Sequence, residues 1–140
     1  MAKEFEIEVL TRSKTLYKGK ATEVVLPAYD GEVGVLADHA NFIGLLGTGP
    51  LKVVTGGDDY WYMLSNGTYF VEKGNLNILA DVGEQAESIN IQNAASELKD
   101  IETQIAALEA SNTKEQAQLA LKRDQLKALI EAHRRTNQLN

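Results

Sequence analysis

Hydrophobic and polar positions change period near residue 85. Upstream, apolar residues alternate with polar ones and glycines punctuate them; downstream, alanine, leucine and charged residues recur at helical spacing, without glycine or proline. A period of two marks a strand and a period near 3.6 a helix. Phe5, Ile7 and Val9 alternate with Glu4, Glu6 and Glu8, which predicts a half-buried strand with one wet face. Leu16 and Tyr17 predict a short second strand. Residues 22–26 predict a third, expected to stop at Pro27 because proline cannot donate to a ladder. Asp30-Gly31 predicts a tight turn ahead of the run 33–36. Gly44, Gly47, Gly49 and Pro50 are expected to interrupt the next stretch, with the sheet resuming at 51–54. Asn66-Gly67 reads as a hairpin turn between 60–64 and 69–71. Gly74-Asn75 reads as another, followed by Leu76, Ile78 and Ala80 on one face.

Eight or more short strands without helical crossovers predict a flattened antiparallel β-sandwich or barrel and argue against a parallel βαβ fold. The first helix is expected from about Asn90 to Ala110, with Ile91, Ala94, Ala95, Leu98, Ile101, Ile105 and Leu108 on one face. Ser111, Asn112 and Thr113 break it. Asn112 and Glu115 form a capping-box pattern for a second helix, which is expected to run to about His133 or Arg134. Its large apolar residues are Leu119, Leu126, Leu129 and Ile130. The short join predicts an antiparallel two-helix hairpin. The expected division is a β unit of residues 1–85 and a helical unit of residues 86–140. Ala106, Ala107, Ala110, Ala117, Ala120 and Ala128 favour helix but bury little area, whereas a buried leucine contributes about 1.5–3 kcal/mol. A strongly helical but weakly held hairpin follows, and static docking remains equally open.

Charge sharpens this picture. Residues 1–84 carry seven basic and twelve acidic side chains, while Lys114, Lys122, Arg123, Lys127, Arg134 and Arg135 make the second helix locally positive on a chain of net charge −6. Such a helix suits an acidic protein surface. Nucleic acid is disfavoured, since no aromatics interleave with the basic residues. The helices lack the aromatic anchors of a membrane-surface helix. The start of the chain has no apolar signal region and no stretch is long enough to span a bilayer, which predicts a soluble cytosolic chain. Absence of cysteine removes disulfide and thiolate chemistry.

Candidate chemistry is sparse. Residues 31–34, Gly-Glu-Val-Gly, lack the Gly-Lys-Ser/Thr of a phosphate loop, so they read as a structural turn. Asp38-His39 is the only internal acid–imidazole pair, but adjacent strand residues face opposite ways and no nucleophile accompanies them. His39 therefore reads as a packing, turn or interface residue, and His133 as a solvated helix terminus. Two histidines and no cysteine argue against a zinc site. Asp58-Asp59 fits a hairpin turn. Tyr60, Trp61 and Tyr62 fit sheet packing, with one or two available to a protein interface.

The segment 26–40, Leu-Pro-Ala-Tyr-Asp-Gly-Glu-Val-Gly-Val-Leu-Ala-Asp-His-Ala, resembles the Gly-Glu-Val/Leu-Gly-Ile/Val-x-x-x-His-Ala pattern of the epsilon subunits of bacterial F-type ATP synthases. Leu45-Leu46 with the following Gly47 to Leu51, then 67–71 (Gly-Thr-Tyr-Phe-Val) and 77–81 (Asn-Ile-Leu-Ala-Asp), resemble later family segments in the same order. The resemblance implies a non-catalytic central-stalk subunit of a proton-translocating synthase, peripheral on the cytoplasmic face of the bacterial inner membrane. It implies a rotor-ring contact at Tyr29, Asp30, Gly31, Glu32 and Val33. It also implies a gamma-subunit contact at His39, Asn41 and Phe42. The hairpin would fold against the β unit or extend into the alpha/beta catalytic hexamer and restrain ATP hydrolysis, with Lys122, Arg123, Lys127, Arg134 and Arg135 meeting acidic segments.

Some family members bind ATP through Ile/Leu-Asp-x-x-Arg-Ala at the start of the first helix. Here the aligned residues 89–94 read Ile-Asn-Ile-Gln-Asn-Ala. Asn90 and Asn93 replace the acid and the arginine, and neutral asparagine cannot form a charged phosphate fork. ATP binding is therefore doubtful, and no cofactor is required. Two other classes stay open on the residues alone: an unrelated β-sandwich adaptor with a mobile helical arm, and a small hydrolase using Asp38 and His39.

Overall fold

A computed structural model describes residues 3–88, 90–108 and 112–138. Its strands are β1 (Phe5–Leu10), β2 (Thr15–Ala21), β3 (Glu23–Ala28), β4 (Gly31–Leu36), β5 (Phe42–Val54), β6 (Asp59–Glu72) and β7 (Asn75–Gln85). A 3-10 turn at Ala86–Ser88 leads to helices α1 (Ile91–Ala107) and α2 (Thr113–Gln138).

The strands make one sheet in the order β2-β1-β7-β6-β5-β3-β4. On a flat sheet β1 and β3 would lie roughly 19 Å apart at the usual strand spacing. Yet Ile7 and Val9 of β1 join Val24 and Leu26 of β3 in one buried cluster. The sheet therefore folds over on itself, and the expected β-sandwich followed by two helices is what forms. All strand pairs are antiparallel except β1 with β7, where Ile7 pairs with Leu76 and Val9 with Ile78.

The strands are fewer and longer than their punctuation predicts. β3 continues through Pro27, because its ladder with β5 is broken between Val25 and Ala28 and the missing N–H falls in that gap. β5 runs unbroken across its glycines and Pro50. Gly44 is needed there, since a Cβ would meet the Tyr69 ring at 2.6 Å. Asn66-Gly67 is not a hairpin turn but a kink in the middle of β6, with φ of 58° and 129°. A Cβ on Gly67 would collide with the Leu79 carbonyl oxygen, so β6 bends there while keeping register with β5 and β7. The true turn is Lys73-Gly74, with φ of 53° and 78° closing β6 onto β7.

Asn90, where the helix is expected to begin, caps α1, its Oδ1 accepting from the Asn93 N–H at 3.1 Å. Ala94 and Ile101 are the buried residues of α1; Ala95 and Ile91 are exposed. The predicted end of α1 at Ala110 and the break at Ser111 lie outside the described residues. Asn112 sits before α2, with its carbonyl accepting from Gln116 N–H and its Nδ2 donating to Glu115 at 2.7 Å. α2 runs to Gln138, beyond the predicted stop, because Arg134 and Arg135 pair back to Glu131 and sustain the helix.

The hairpin is docked. Ala128 and Leu129 bury against Met63, and Ala132 against Trp61 and Ala86. The small alanines let the α2 backbone approach the β6 side chains closely. Ser65, fully buried, bonds Thr48 Oγ1 at 2.9 Å and accepts from Gln125 Nε2 at 3.0 Å, which ties β5, β6 and α2 together.

Candidate interaction surfaces

Strand register builds the first surface. Ile43 lies opposite Phe70 and Asn77; Leu45 lies opposite Thr68, Leu79 and then Leu10. These rows share the outer face of β5, β6, β7 and β1. A solvated sheet face is normally polar, but here Ile43 is 77 %, Leu45 60 % and Leu79 44 % exposed. The inner face of the same strands holds Val71, Leu76 and Ile7, all buried. β5 is thus apolar on both faces at its start, and its outer face has no covering element among the described residues. Phe42, half exposed, sets its ring 5.9 Å from that of Tyr69.

The β3–β4 hairpin tip brings Tyr29, Asp30, Gly31, Glu32 and Val33 together. Tyr29 is 78 % exposed, and its N–H donates to Leu45 O at 2.8 Å, which stitches the tip to the apolar stretch of β5. Burial, with the nearby Asp30 charge, raises the Tyr69 phenol above its ordinary range. On the β4–β5 connection His39 Nδ1 faces Ala40 O at 2.8 Å, and Asn41 Oδ1 accepts from Lys73 N–H at 3.0 Å. Asp38 pairs with Lys3 at 2.9 Å, so Asp38 and His39 face separate partners and form no catalytic dyad.

The third surface is the α2 edge. Lys122 bridges to Glu97 of α1 at 3.3 Å, Arg123 to Asp124 at 3.1 Å, and Arg134 to Glu131. Arg135 bonds Glu131 at 2.9 Å and Glu32 of the tip at 3.1 Å, and its guanidinium lies 5.7 Å from the Trp61 ring centre. The Arg134 hydrogen bond foremost, and that of Arg135, hold the Glu131 carboxyl down to about 2 against its burial. Lys127 lines an open groove with Tyr29, Asn66 and Asp124. Four of the five basic residues singled out in the sequence thus meet acids of the same chain. His133 is not a solvated terminus: its Nδ1 lies 3.0 Å from Ala86 O. Trp61 is roofed by α2, and its buried Nε1 has no partner among the described residues.

A cleft of about 410 Å³ opens between β7, α1 and α2. Its charged lining is Glu84, Glu97 and Lys122, with Lys122 engaged by Glu97. Asn90 is occupied in capping α1. This donor set does not fit a polyphosphate, because carboxylates outnumber cations and no guanidinium fork lines it.

Residues 4–86 match the family "ATP synthase, Delta/Epsilon chain, beta-sandwich domain". The chain belongs to the ATP synthase epsilon family. The ATP synthase epsilon chain of Solibacter usitatus is 39 % identical over 99 residues, covering 71 % of this chain and 74 % of that one. The chloroplastic epsilon chain of Tetradesmus obliquus is 34 % identical over 118 residues, covering 84 % and 87 %. A chain of the Euglena gracilis mitochondrial ATP synthase OSCP/F1/c-ring structure shares the fold, with a TM-score of 0.80 and 20 % identity over 92 % of this chain and 81 % of that one. This epsilon subunit is thus part of an F-type ATP synthase, an enzyme complex. None of its described helices is long and apolar enough to cross a membrane.

Sequence reasoning missed Ser65, Gln125 and the outer apolar face. Ser65 carries no motif. The face was legible only as Ile43, Leu45 and Leu79 out of phase with an already apolar inner row, and that phase needs the register.

Proposed function

We propose that this chain is a non-catalytic rotor subunit whose β unit, residues 1–85, joins the gamma subunit of the central stalk to the membrane rotor ring. The observation that carries this is the uncovered apolar face at Ile43, Leu45 and Leu79, flanked by Phe42 and Tyr29. An exposed contiguous apolar patch marks a protein-binding surface. Gamma would cover this face together with His39, Asn41 and Phe42. The tip residues Tyr29, Asp30, Gly31, Glu32 and Val33 would meet the ring; the exposure of the first four supports this, while Val33 is half-buried against the β core. The helical unit, residues 86–140, would restrain ATP hydrolysis when α2 leaves its platform. Lys122, Arg123, Lys127, Arg134 and Arg135 would then exchange their internal acids for those of the alpha/beta hexamer. This assembly would sit peripherally on the cytoplasmic face of a bacterial inner membrane.

The decisive measurement is pull-down of gamma by the I43E/L45E chain. Both side chains are exposed, so the variant should keep the thermal midpoint of the parent and lose gamma. Retained gamma binding would reject the surface. Hydrolysis by the reconstituted synthase carrying a chain truncated after residue 86 tests the restraint, and unchanged turnover would reject an inhibitory hairpin.

A further inference from the structure

We infer that Glu32 is a shared acid, claimed either by Arg135 of the docked hairpin or by a basic partner surface at the hairpin tip, so that tip engagement loosens α2. The inference rests on the ring contact proposed for the tip, and adds a coupling that this contact alone does not require. Glu32 lies at the start of β4, and Arg135 about two turns beyond the α2 residues that bury against Met63; the ion pair of 3.1 Å is a direct bond between them. The Glu32 side chain is 49 % exposed and that of Arg135 33 %, so the acid remains reachable from solvent while it is held. Arg135 is positioned independently of Glu32 by Glu131 and by the Trp61 ring. Its guanidinium therefore waits at the acid without having to be ordered by it.

A cation arriving on the tip must share or displace that guanidinium. Coupling between two sites is reciprocal: whatever weakens the Arg135 contact on tip binding must equally weaken tip binding when the hairpin is docked. The contact is half exposed, so the effect is modest, about two- to fivefold in the opening equilibrium of the last turns of α2. It acts as a bias between hairpin positions rather than as a lock.

Hydrogen exchange over residues 129–136 reads this bias, with the β7 amides as the internal control. In the isolated full chain, E32Q and R135Q should each speed exchange in that segment about two- to fivefold and leave β7 unchanged. Unaltered exchange in both variants would overturn the inference. In assembled synthase, the segment should exchange faster with the rotor ring present than without it, and E32Q should remove the difference. Tip contact is scored separately by cross-linking from Tyr29→Cys, a unique thiol because the chain has no cysteine. A cross-link to the ring with ring-independent exchange would overturn the coupling and leave the stalk reading intact. No cross-link would overturn the stalk reading, and the coupling with it, even if E32Q loosens α2.

Discussion

Leu129→Ala isolates what holds the hairpin to its platform. Leu129 is 6 % exposed and packs with Ala128 on Met63, while its neighbouring contact, Ala132 on Trp61 and Ala86, contains no large α2 side chain. Among the described residues, Leu129 is thus the one large aliphatic side chain of α2 that is buried. Truncating a buried leucine costs about 2–5 kcal/mol, and the low end applies at a contact between units that can close around the gap. A loss of about 2 kcal/mol changes an equilibrium constant about thirtyfold. Hydrogen exchange should show α2 amides opening about thirtyfold faster, with β1 and β7 amides, which surround a separate cluster, retaining their protection. Equal acceleration across α2 and β7 would refute the reasoning, because it would make the hairpin part of the β core. Unchanged α2 exchange would refute it too, and would shift the hold to the Ser65 and Arg135 contacts.

Ser65→Ala leaves Thr48 and Gln125 without their shared partner and should lower stability by about 1–3 kcal/mol in urea unfolding. Gly67→Ala forces both a positive φ and a collision with the Leu79 carbonyl, so loss of the folded sheet by circular dichroism is expected, whereas Gly56→Ala, with open space around it, should be close to neutral. Glu131 sits at about 2 in the folded chain, against an ordinary 4.5. A carboxyl held low stabilises fully above the unfolded value and loses that contribution as pH falls from about 4.5 toward 2. Helical circular dichroism of α2 should therefore weaken across that window, and Glu131→Gln should flatten the dependence.

The strand faces and both helices were legible because periodicity is a local property: Phe5, Ile7 and Val9 needed no partner to declare their inner side. Punctuation failed where tertiary contacts overrode it. Asn66-Gly67 has the chemistry of a hairpin turn, yet β5 and β7 flank β6 on both sides and pin it as a kink. The glycines of β5 record close neighbours such as the Tyr69 ring rather than breaks. His133 was read as solvated because its partner, the Ala86 carbonyl, is distant in sequence. The tip and the basic helix could be found separately by charge and resemblance. Their meeting through Glu32 and Arg135 could not, since no one-dimensional pattern reports a contact across that span.

The parallel pairing of β1 with β7 also governs when the β unit can exist. Ile7 has to wait for Leu76 before its second neighbour is present. Until then β1 and β2 form a two-stranded ribbon, which is marginal in water. Contacts between distant residues close slowly, because the entropy of the intervening loop is spent before they form. Strands β3 to β6 can pair as they emerge, but the β1–β2 ribbon joins them only when β7, the last strand, arrives. The α1–α2 hairpin obeys the opposite timing: its contacts are local, yet its platform on Met63 and Trp61 must be finished first. Birth order thus makes the helices late guests on a completed surface, in keeping with the proposed release of α2 from its platform.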